Sequence, residues 1–345
     1  MSLYKTLTLG KIKEEVPGVK SFIFEEPDTG QIQYQAGQYL TFVIPGGEQE
    51  VRRSYSITSS PALAEPLSIV VKRVPNGIFS RHMLDHARPG DKLQTIGAGG
   101  FFTLPADLSD IRQIFFFAAG SGIAPIYSLM KTVLHTYPQI SVVLIYSNNA
   151  PQSTIYLQEL QQLEKAFRGS LQIEFLFSIS KNLSRARLYK DLLKALLKEY
   201  ATVPGHQLLS YICGPVNYMR MCVYGLRQAN VPAENIRREI FHIPQIVHKI
   251  EPPDTDLHRV TFRLGGQSHQ LEVQYPDTIL DAARKKGISL PYSCELGRCG
   301  NCVAKCRKGQ VWMLNNEVLT ERDLEQGLIL TCVGYPIGGD VVLEA

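Results

Sequence analysis

The sequence lacks the features that would place the protein in a membrane or on a nucleic acid. None of its apolar runs reaches the roughly eighteen residues needed to span a bilayer. It has no long lysine and arginine block, and its net charge of +4 is spread along the chain, so neither nucleic-acid nor membrane binding is expected. It also has no internal repeat and no secretory signal pattern. Together with unpaired cysteines, these absences predict a cytoplasmic globular protein.

The pattern of apolar residues and the proline content change along the chain and divide it into segments. Residues 1–104 contain short alternating apolar runs separated by proline and glycine turns, which predict an antiparallel β-barrel. In residues 105–241, unbroken apolar runs alternate with helical patterns, as in a doubly wound parallel α/β domain. Residues 242–256 are rich in proline and predict a linker that is semi-rigid where the prolines cluster. The remaining segment, 257–345, holds five of the seven cysteines and is expected to form a third domain.

Four of these cysteines have the spacing C-x4-C-x2-C-x29-C, namely Cys294, Cys299, Cys302 and Cys332. This spacing is typical of plant-type ferredoxins and predicts a two-iron, two-sulfur cluster bound by four thiolates. Gly297 and Gly300 lie within the loop, where the absence of a side chain lets the backbone approach the inorganic sulfides. The sequence therefore favours a protein that transfers single electrons.

Three roles for the cysteines compete with a cluster. A structural zinc site uses the same thiolates, but zinc ribbons usually have two Cys-x2-Cys pairs and this chain has one. A disulfide framework is disfavoured by the odd cysteine count and the size of the protein. Inert burial best accounts for Cys222, which has apolar neighbours, and Cys306 is expected to be a spare thiol.

A second motif follows the first strand of the α/β segment. The run Gly120-Ser121-Gly122-Ile123-Ala124-Pro125 separates a predicted strand at 114–118 from a predicted helix at 126–134. Strand, glycine turn and helix form a phosphate-binding arrangement, because backbone N–H groups and the helix N-terminus face the anion. Tight turns use the same residues for steric reasons alone. Cys213-Gly214-Pro215 ends a later strand, at the edge where open parallel sheets bind ligands, and a half-buried thiol is expected there.

A third motif lies in the barrel segment. Arg53-Ser54-Tyr55-Ser56 offers an arginine for a phosphate, an aromatic face for a flat ring and a hydroxyl for a ring nitrogen. It is followed by Val71-Lys72-Arg73 and by Gly77-Ile78-Phe79-Ser80. Taken alone, the first run is equally consistent with a strand that carries an exposed arginine.

These motifs occur in one fixed order, and in that order the chain resembles ferredoxin-NADP reductase-type flavoproteins with a C-terminal ferredoxin domain. The resemblance covers nearly the whole length. It is greatest to reductase components of the phenylacetyl-CoA epoxidase kind, and phthalate dioxygenase reductases have the same domain order. The resemblance implies an FAD-binding barrel, an NAD(P)-binding α/β domain and an α+β ferredoxin-like (β-grasp) domain. FAD is favoured over FMN.

The resemblance also implies roles for residues of this sequence. Arg53 is expected at the flavin phosphate, with Tyr55 against the isoalloxazine and Ser56 near its reactive nitrogen. The other residues expected to bind cofactors are Ser54, Val71, Lys72, Gly77, Phe79 and Ser80 for the flavin, and Gly120, Ser121, Gly122, Ile123, Ala124, Pro125, Cys213, Gly214 and Pro215 for the nucleotide. Glu239 and Phe241 resemble the Glu-x-Phe that lies near the flavin. Ser56, Cys213 and Glu239 are the expected catalytic residues.

Two positions depart from the family pattern. Asn76 stands where a glycine is common before the flavin-phosphate loop, and asparagine tolerates the positive φ of that turn. Ser147-Asn148-Asn149 stands where relatives that use NADPH tend to have an arginine. Because Arg185 or Arg187 offers a charge from another loop, the sequence leaves NADH and NADPH both open.

The expected activity follows from electron counting. A nicotinamide gives up two electrons as a hydride and a cluster accepts one at a time, so a flavin is needed between them. We expect electrons to pass from NAD(P)H through FAD and the cluster to an oxygenase component, with a di-iron hydroxylase or epoxidase as the expected acceptor. The alternatives are a general NAD(P)H reductase that feeds a desaturase, a ferredoxin or a small acceptor, and a redox-sensing interaction module.

Overall fold

The computed structural model describes residues 4–26, 28–44, 50–241 and 251–344. The chain divides into two compact units, Met1–His242 and Ile243–Ala345. In the described ranges, no helix is both long enough and apolar enough to cross a membrane. Within the predicted linker 242–256, residues 242–250 lie outside the described residues. The three-domain boundaries drawn from the sequence remain a prediction.

The first unit begins with the predicted antiparallel barrel. Its six strands have the order β4-β3-β6-β1-β2-β5, and all neighbouring strands are antiparallel. The strands are β1 (Lys5–Val16), β2 (Val19–Phe24), β3 (Tyr39–Ile44), β4 (Val51–Ser56), β5 (Ser68–Lys72) and β6 (Lys92–Gly99). The sheet closes because the chain just after β4 joins β5, through a bridge between Ile57 and Ile69 and a 2.8 Å bond from Thr58 N to Ser68 O.

Alternation along the barrel strands sends apolar side chains inward, where Leu7, Leu40 and Phe42 are fully buried. Helix α1 (Ile78–Asp85) follows β5 and adds Phe79 and Met83 to the same core. The barrel core therefore extends up to the loop that precedes α1, which is the loop expected to bind the flavin phosphate.

The second part of the first unit is a five-stranded parallel sheet with the order β11-β10-β7-β8-β9. Its strands are β7 (Gln113–Ala119), β8 (Ser141–Asn148), β9 (Leu171–Phe177), β10 (Leu208–Cys213) and β11 (Ile236–Glu239). Its helices are α2 (Ile123–Thr136), α3 (Leu157–Ala166), α4 (Lys190–Tyr200) and α5 (Val216–Gln228). The strand order reverses between β7 and β10, and open sheets of this kind bind ligands at the carboxyl ends of the strands that flank such a point.

Both faces of the parallel sheet are covered, which explains the unbroken apolar runs in its strands. Phe116 and Leu144 belong to a core cluster with residues of α2 and α3, whereas Phe117 and Ile145 belong to another with α4 and α5. Helix α2 begins at Ile123 and not at 126 as expected, since Pro125 is tolerated within the first helical turn.

Buried polar contacts join the barrel to the parallel-sheet domain. Ser128 Oγ of α2 donates to the Ser59 carbonyl at 2.5 Å, and the Ser60 and Thr132 hydroxyls are 2.7 Å apart. Lys131, also on α2, forms an ion pair with Glu65 of the barrel domain. Within this unit, the barrel is therefore held directly against the helix that follows the glycine loop.

The second unit is a mixed five-stranded sheet with the order β13-β12-β16-β14-β15, in which β12 and β16 are parallel and the other pairs antiparallel. Its strands are β12 (His258–Leu264), β13 (Gln267–Val273), β14 (Val303–Met313), β15 (Leu328–Leu330) and β16 (Gly334–Glu344), with helices α6 (Ile279–Lys285) and α7 (Glu321–Glu325). Three of the four predicted cluster cysteines precede β14, and Cys332 follows β15. This is the α+β fold expected for the C-terminal domain.

Candidate flavin, nucleotide and cluster sites

The glycine loop at the end of β7 is held by two tyrosines from the strand and the helix beside it. Gly120 has φ +55°, and its carbonyl accepts a 2.9 Å hydrogen bond from the Tyr146 hydroxyl of β8. Tyr218 on α5 donates to the Ala118 carbonyl at 3.1 Å. Sequence reasoning missed both tyrosines, although a tyrosine at the end of a buried strand signals a polar tip that needs a partner.

Gly122 brings the two predicted nucleotide motifs into contact. A Cβ atom at Gly122 would lie 2.1 Å from the Cys213 carbonyl oxygen, and one at Gly214 would lie 2.9 Å from the Ala119 Cβ. Glycine is required at both positions because no larger residue fits without displacing the opposite loop. The ends of β7 and β10 therefore form one surface. Ser121 is partly exposed there, whereas Ile123, Ala124 and Pro125 are buried in α2 and stabilise the turn by packing.

Cys213 is fully buried, so the expectation of a half-buried thiol at this position was wrong. It is the last residue of a central strand, with Ala118 of β7 on one side and Glu239 of β11 on the other. Burial raises the pKa of the Cys213 thiol well above its usual value, and Glu239 adds to this rise once its carboxyl is ionised. The sulfur is therefore neutral at physiological pH and fits a packing or positioning role beside a bound ring better than an acid-base role.

The three expected catalytic residues meet at this edge of the sheet. Ser56, at the end of β4, donates from its hydroxyl to Glu239 Oε2 at 3.4 Å, which links the barrel to β11. Burial raises the pKa of Glu239 to about 8, and the hydrogen bond from Ser56 offsets part of that rise. Glu239 is consequently protonated at pH 7 and places no negative charge beside Cys213. Phe241, the other half of the Glu-x-Phe pair, is half-exposed beyond β11.

An aromatic cluster marks the expected flavin pocket in the barrel. The Tyr55 ring lies 5.2 Å from that of Phe79, and Phe79 stacks on Phe42 at 5.4 Å between centroids. Burial raises the pKa of Tyr55 to about 12, so the phenol stays neutral. Arg53 is exposed on the same strand, and the Ser54 hydroxyl is 2.9 Å from that of Thr41. Tyr55 and Arg53 thus offer the ring face and the cation that the sequence predicted.

The loop before α1 has the tight form that a phosphate cradle requires. Asn76 adopts φ +60°, which shows that the asparagine keeps the positive-φ turn. A Cβ atom at Gly77 would be 2.5 Å from Ser80 Oγ, and that oxygen accepts from Val74 N at 3.2 Å. Val71 is fully buried in the barrel core, so only its backbone is available to a ligand.

A basic hollow lies beside this loop, with a volume of about 440 Å³. Its charged lining residues are Lys72, Arg73 and Arg81. Arg73 is already paired with Asp85, at 3.0 Å from Nη1 to Oδ2. Lys72 and Arg81 therefore offer the remaining positive charge next to the loop, and Arg81 is a residue that sequence reasoning did not select.

The end of β8 offers polar groups rather than a cation. Ser147 Oγ and Asn148 Nδ2 are both buried, next to the hydroxyls of Tyr218 and Tyr146, respectively. Arg185, one of the two arginines considered for a 2′-phosphate, is bound to Glu174 at 3.0 Å and to Glu199 at 2.6 Å. Glu174 lies within β9, three residues before its end, so Arg185 points back along the sheet.

The four predicted cluster thiols form two pairs. Cys302 Sγ and Cys332 Sγ are 3.1 Å apart, which is too long for a disulfide bond. The Cys299 thiol donates to Cys294, and this contact lowers the pKa of Cys294 to about 6 and raises that of Cys299. Two pairs of sulfurs are what a two-iron cluster needs, with two thiolates for each iron.

Backbone geometry supports the same assignment. Gly297 and Gly300 both have φ +73°, and a Cβ atom at Gly297 would lie 2.4 Å from the Asn315 carbonyl oxygen. The backbone N–H of Leu296 points at Cys294 Sγ, at 3.4 Å. Cys306, by contrast, contacts the Lys308 and Gly309 carbonyls and stands apart from the four.

Comparison with known families agrees with this geometry along the whole chain. Residues 6–104 match an oxidoreductase FAD-binding domain, residues 116–223 an oxidoreductase NAD-binding domain and residues 262–336 a 2Fe-2S iron-sulfur cluster binding domain. The chain is 31% identical over 353 residues to a subunit of 1,2-phenylacetyl-CoA epoxidase from Escherichia coli, covering 100% of this chain and 98% of the relative. The chain belongs to the FAD- and 2Fe-2S-containing oxygenase reductases.

Further relatives in this family serve different oxygenases. The ferredoxin reductase component of Rhodococcus rhodochrous 3-ketosteroid-9-alpha-monooxygenase is 30% identical, covering 98% of this chain and 96% of the relative. The glycine betaine monooxygenase reductase subunit of Pseudomonas aeruginosa is 28% identical, covering 97% and 93%. The chain is thus an NAD(P)H-dependent oxidoreductase that supplies electrons to an oxygenase, with FAD and a 2Fe-2S cluster as its cofactors. The match to a 2Fe-2S cluster binding domain argues against the zinc-site and disulfide alternatives for the cysteines. The reductase relatives argue against the alternative of a redox-sensing interaction module.

Solved structures share the fold. Phthalate dioxygenase reductase has a TM-score of 0.60 at 22% identity, covering 99% of this chain and 98% of that one. An intact type IV self-sufficient cytochrome P450 monooxygenase has a TM-score of 0.74 at 20% identity, covering 99% of this chain, which spans 41% of its length. The predicted fold class, with barrel, doubly wound sheet and ferredoxin-like domain, is confirmed.

Substituting Gly122 by alanine should weaken nicotinamide binding by about tenfold or more, because the new methyl group would overlap the Cys213 carbonyl. Flavin content should not change. Gly30→Ala is the control, since Gly30 lies in the same unit, has no positive φ, and a Cβ there meets nothing within 4 Å. The dissociation constant for NAD⁺ would be measured by fluorescence titration. Wild-type affinity in Gly122→Ala would show that the contact between the loops is unnecessary.

Flavin reduction should slow as the pH rises through about 8, the pKa of Glu239. Because burial raises this pKa, the carboxyl is mostly neutral below about pH 8 and mostly negative above it. The negative charge disfavours transfer of a hydride to the nearby flavin. Glu239→Gln should remove this step, whereas Glu234→Gln, at an exposed position, should keep it. Stopped-flow reduction rates between about pH 6.5 and 9 test this. The same pH step in Glu239→Gln would assign the titration to another group.

Proposed function

We propose that this chain takes electrons from NADH and delivers them, one at a time, to the di-iron oxygenase component of an epoxidase or hydroxylase system. The observation that carries the electron route is the paired arrangement of Cys294 with Cys299 and of Cys302 with Cys332, which suits a two-iron centre. The epoxidase partner is supported by the match along the whole chain to a subunit of a phenylacetyl-CoA epoxidase. The cytoplasmic location expected from the sequence remains a prediction.

The barrel would hold the flavin with the residues placed around its aromatic cluster. Arg53 would pair with the flavin phosphate, the loop from Asn76 to Ser80 would enclose it, and Tyr55 would cover the ring. When bound, the flavin accepts two electrons together and releases them singly, which joins nicotinamide chemistry to that of a cluster. Ser56 and Glu239 would hold hydrogen-bonding groups at the ring edge without adding a charge at pH 7.

The glycine loop and the end of β10 would hold the nicotinamide nucleotide. The N-terminus of α2 and the backbone of Gly120-Ser121-Gly122 suit a pyrophosphate. Gly214 lets the end of β10 approach Ala119 of β7 closely, which holds the two sides of the expected nicotinamide site together. Catalysis on this account is alignment of two rings by rigid loops, with no proton transfer required of Cys213.

NADH is favoured over NADPH by the groups at the end of β8. A 2′-phosphate calls for a cation, whereas a 2′-hydroxyl needs only neutral hydrogen-bonding groups. Ser147 and Asn148 supply buried neutral polar groups and no cation at this point. Arg185 is bound to two carboxylates, so a 2′-phosphate would have to compete with Glu174 and Glu199 for it.

The nucleotide preference should appear as at least a tenfold higher kcat/KM with NADH than with NADPH, a difference of about 1.4 kcal/mol in transition-state binding. Asn149→Arg should shift the ratio toward NADPH by supplying the missing cation. Gln228→Arg is the control, because Gln228 is exposed at the C-terminal end of α5, at the opposite edge of the parallel sheet. Equal use of both nucleotides by the wild type would contradict the assignment, and Arg187→Ala would then show whether Arg187 binds the phosphate.

Cys299→Ser should abolish cluster-dependent electron transfer while NADH still reduces the flavin at the wild-type rate, because the flavin and nucleotide sites lie in a separate unit. Transfer to cytochrome c, which accepts single electrons, should fall by more than about tenfold. Cys306→Ser is the matched control, since this thiol lies outside the two pairs. Retention of the cluster and of transfer in Cys299→Ser would refute the ligand assignment. Loss of flavin reduction would show that the units are not independent.

A further inference from the structure

The cysteine loop surrounds its sulfurs with hydrogen-bond donors from its own backbone. The backbone N–H groups of Leu296, Arg298 and Cys299 donate to the Cys294 sulfur, that of Leu296 at 3.4 Å. The backbone N–H of Asn301 donates to the Cys299 sulfur. Donors of this kind stabilise negative charge on sulfur, and hydrogen bonds to sulfur are among the factors that set the potential of an iron-sulfur cluster.

Asn301 carries one more donor, on its side chain. Its Nδ2 atom is fully buried and has no hydrogen-bond partner among the described residues. Burying an amide N–H without a hydrogen-bond acceptor is costly, so a partner is expected in the loaded protein. The residue lies between Cys299 and Cys302, one ligand from each of the two thiol pairs.

The chemistry of the orphaned atom indicates its partner. Nδ2 is a donor and needs an acceptor, and the thiolates and inorganic sulfides of a cluster accept hydrogen bonds but have none to donate. A structural zinc ion bound by four thiolates would offer fewer such acceptors, since it brings no inorganic sulfide. The donor and the cluster are therefore complementary.

We infer that Asn301 is a positioning residue for the cluster, whose side-chain amide donates a hydrogen bond to a cluster or thiolate sulfur and raises the reduction potential. Reduction adds one electron, supplied by NADH through the flavin, and makes the sulfurs more negative; no bond breaks and no proton is transferred. The hydrogen bond is stronger after reduction than before, so it favours the reduced cluster. This inference rests on the assignment of the four cysteines as cluster ligands.

Asn301→Ala should lower the midpoint potential of the cluster. Loss of one donor to a charged sulfur should change the equilibrium constant for reduction by about tenfold at most, which is about 59 mV for one electron. Asn301→Asp keeps the shape of the side chain but replaces the donor by a negatively charged acceptor, so the potential should fall further. Neither change should alter the rate at which NADH reduces the flavin, since Asn301 lies in the other unit.

The experiment is a redox titration of the full-length holoprotein, with the reduced cluster followed by electron paramagnetic resonance. Iron content and the visible spectrum would report cluster occupancy separately from potential. Asn316→Ala is the matched control: it removes an amide of the same unit whose Nδ2 already donates to the Leu319 carbonyl at 3.0 Å. Its potential should equal that of the wild type.

The potential should fall in Asn301→Ala and fall further in Asn301→Asp, with iron content unchanged. An unchanged potential in fully loaded Asn301→Ala would overturn the inference and would mean that a buried water satisfies the amide. Loss of the cluster from both variants would also overturn it, because the side chain would then serve to hold the loop. A wild-type protein without the resonance of a two-iron cluster would instead refute the ligand assignment on which the inference rests.

Discussion

The close approach of Gly122 to the backbone of Cys213 is the contact on which the redox site depends. It fixes the glycine loop against the end of β10 at the point where the strand order reverses. The parallel register then sets Glu239 beside Cys213, and Ser56 reaches Glu239 from the barrel. A residue larger than glycine at this one position would separate the nucleotide loop from the groups that position the flavin.

The contact between Gly122 and Cys213 can align the two cofactors only if the barrel is fixed relative to the parallel sheet. A buried polar interface between the barrel and helix α2 provides that constraint. Lys131 is desolvated beside Glu65, and burial lowers its pKa although the carboxylate opposes this shift. Buried ion pairs add little net stability compared with apolar packing, but their geometry is specific. The hydroxyl contacts of Ser128 and Thr132 add further directional constraints. The interface therefore fixes the orientation of the barrel relative to the parallel-sheet domain, which hydride transfer between two rings requires.

Much of this account could be predicted from the sequence because its signals are local. Strand alternation, the glycine turn after β7 and the cysteine spacing each lie within one short segment, and all three appear in the structure. Long-range contacts could not be predicted. The full burial of Cys213, the engagement of Arg185 by Glu174 and Glu199, and the tyrosine bond to Gly120 join segments that are distant in sequence or depend on packing around a strand. The roles of individual site residues therefore remain predictions, although their positions agree with them.

The central claim is that one chain accepts electron pairs from a nicotinamide and stores two electrons on its flavin and one on its iron-sulfur cluster. Anaerobic titration of the purified protein with NADH, following flavin and cluster absorbance together, tests it most directly. The account predicts that both chromophores bleach and that full reduction takes three electrons, or about 1.5 equivalents of NADH. Bleaching of the flavin alone, with an intact cluster that stays oxidised, would contradict it.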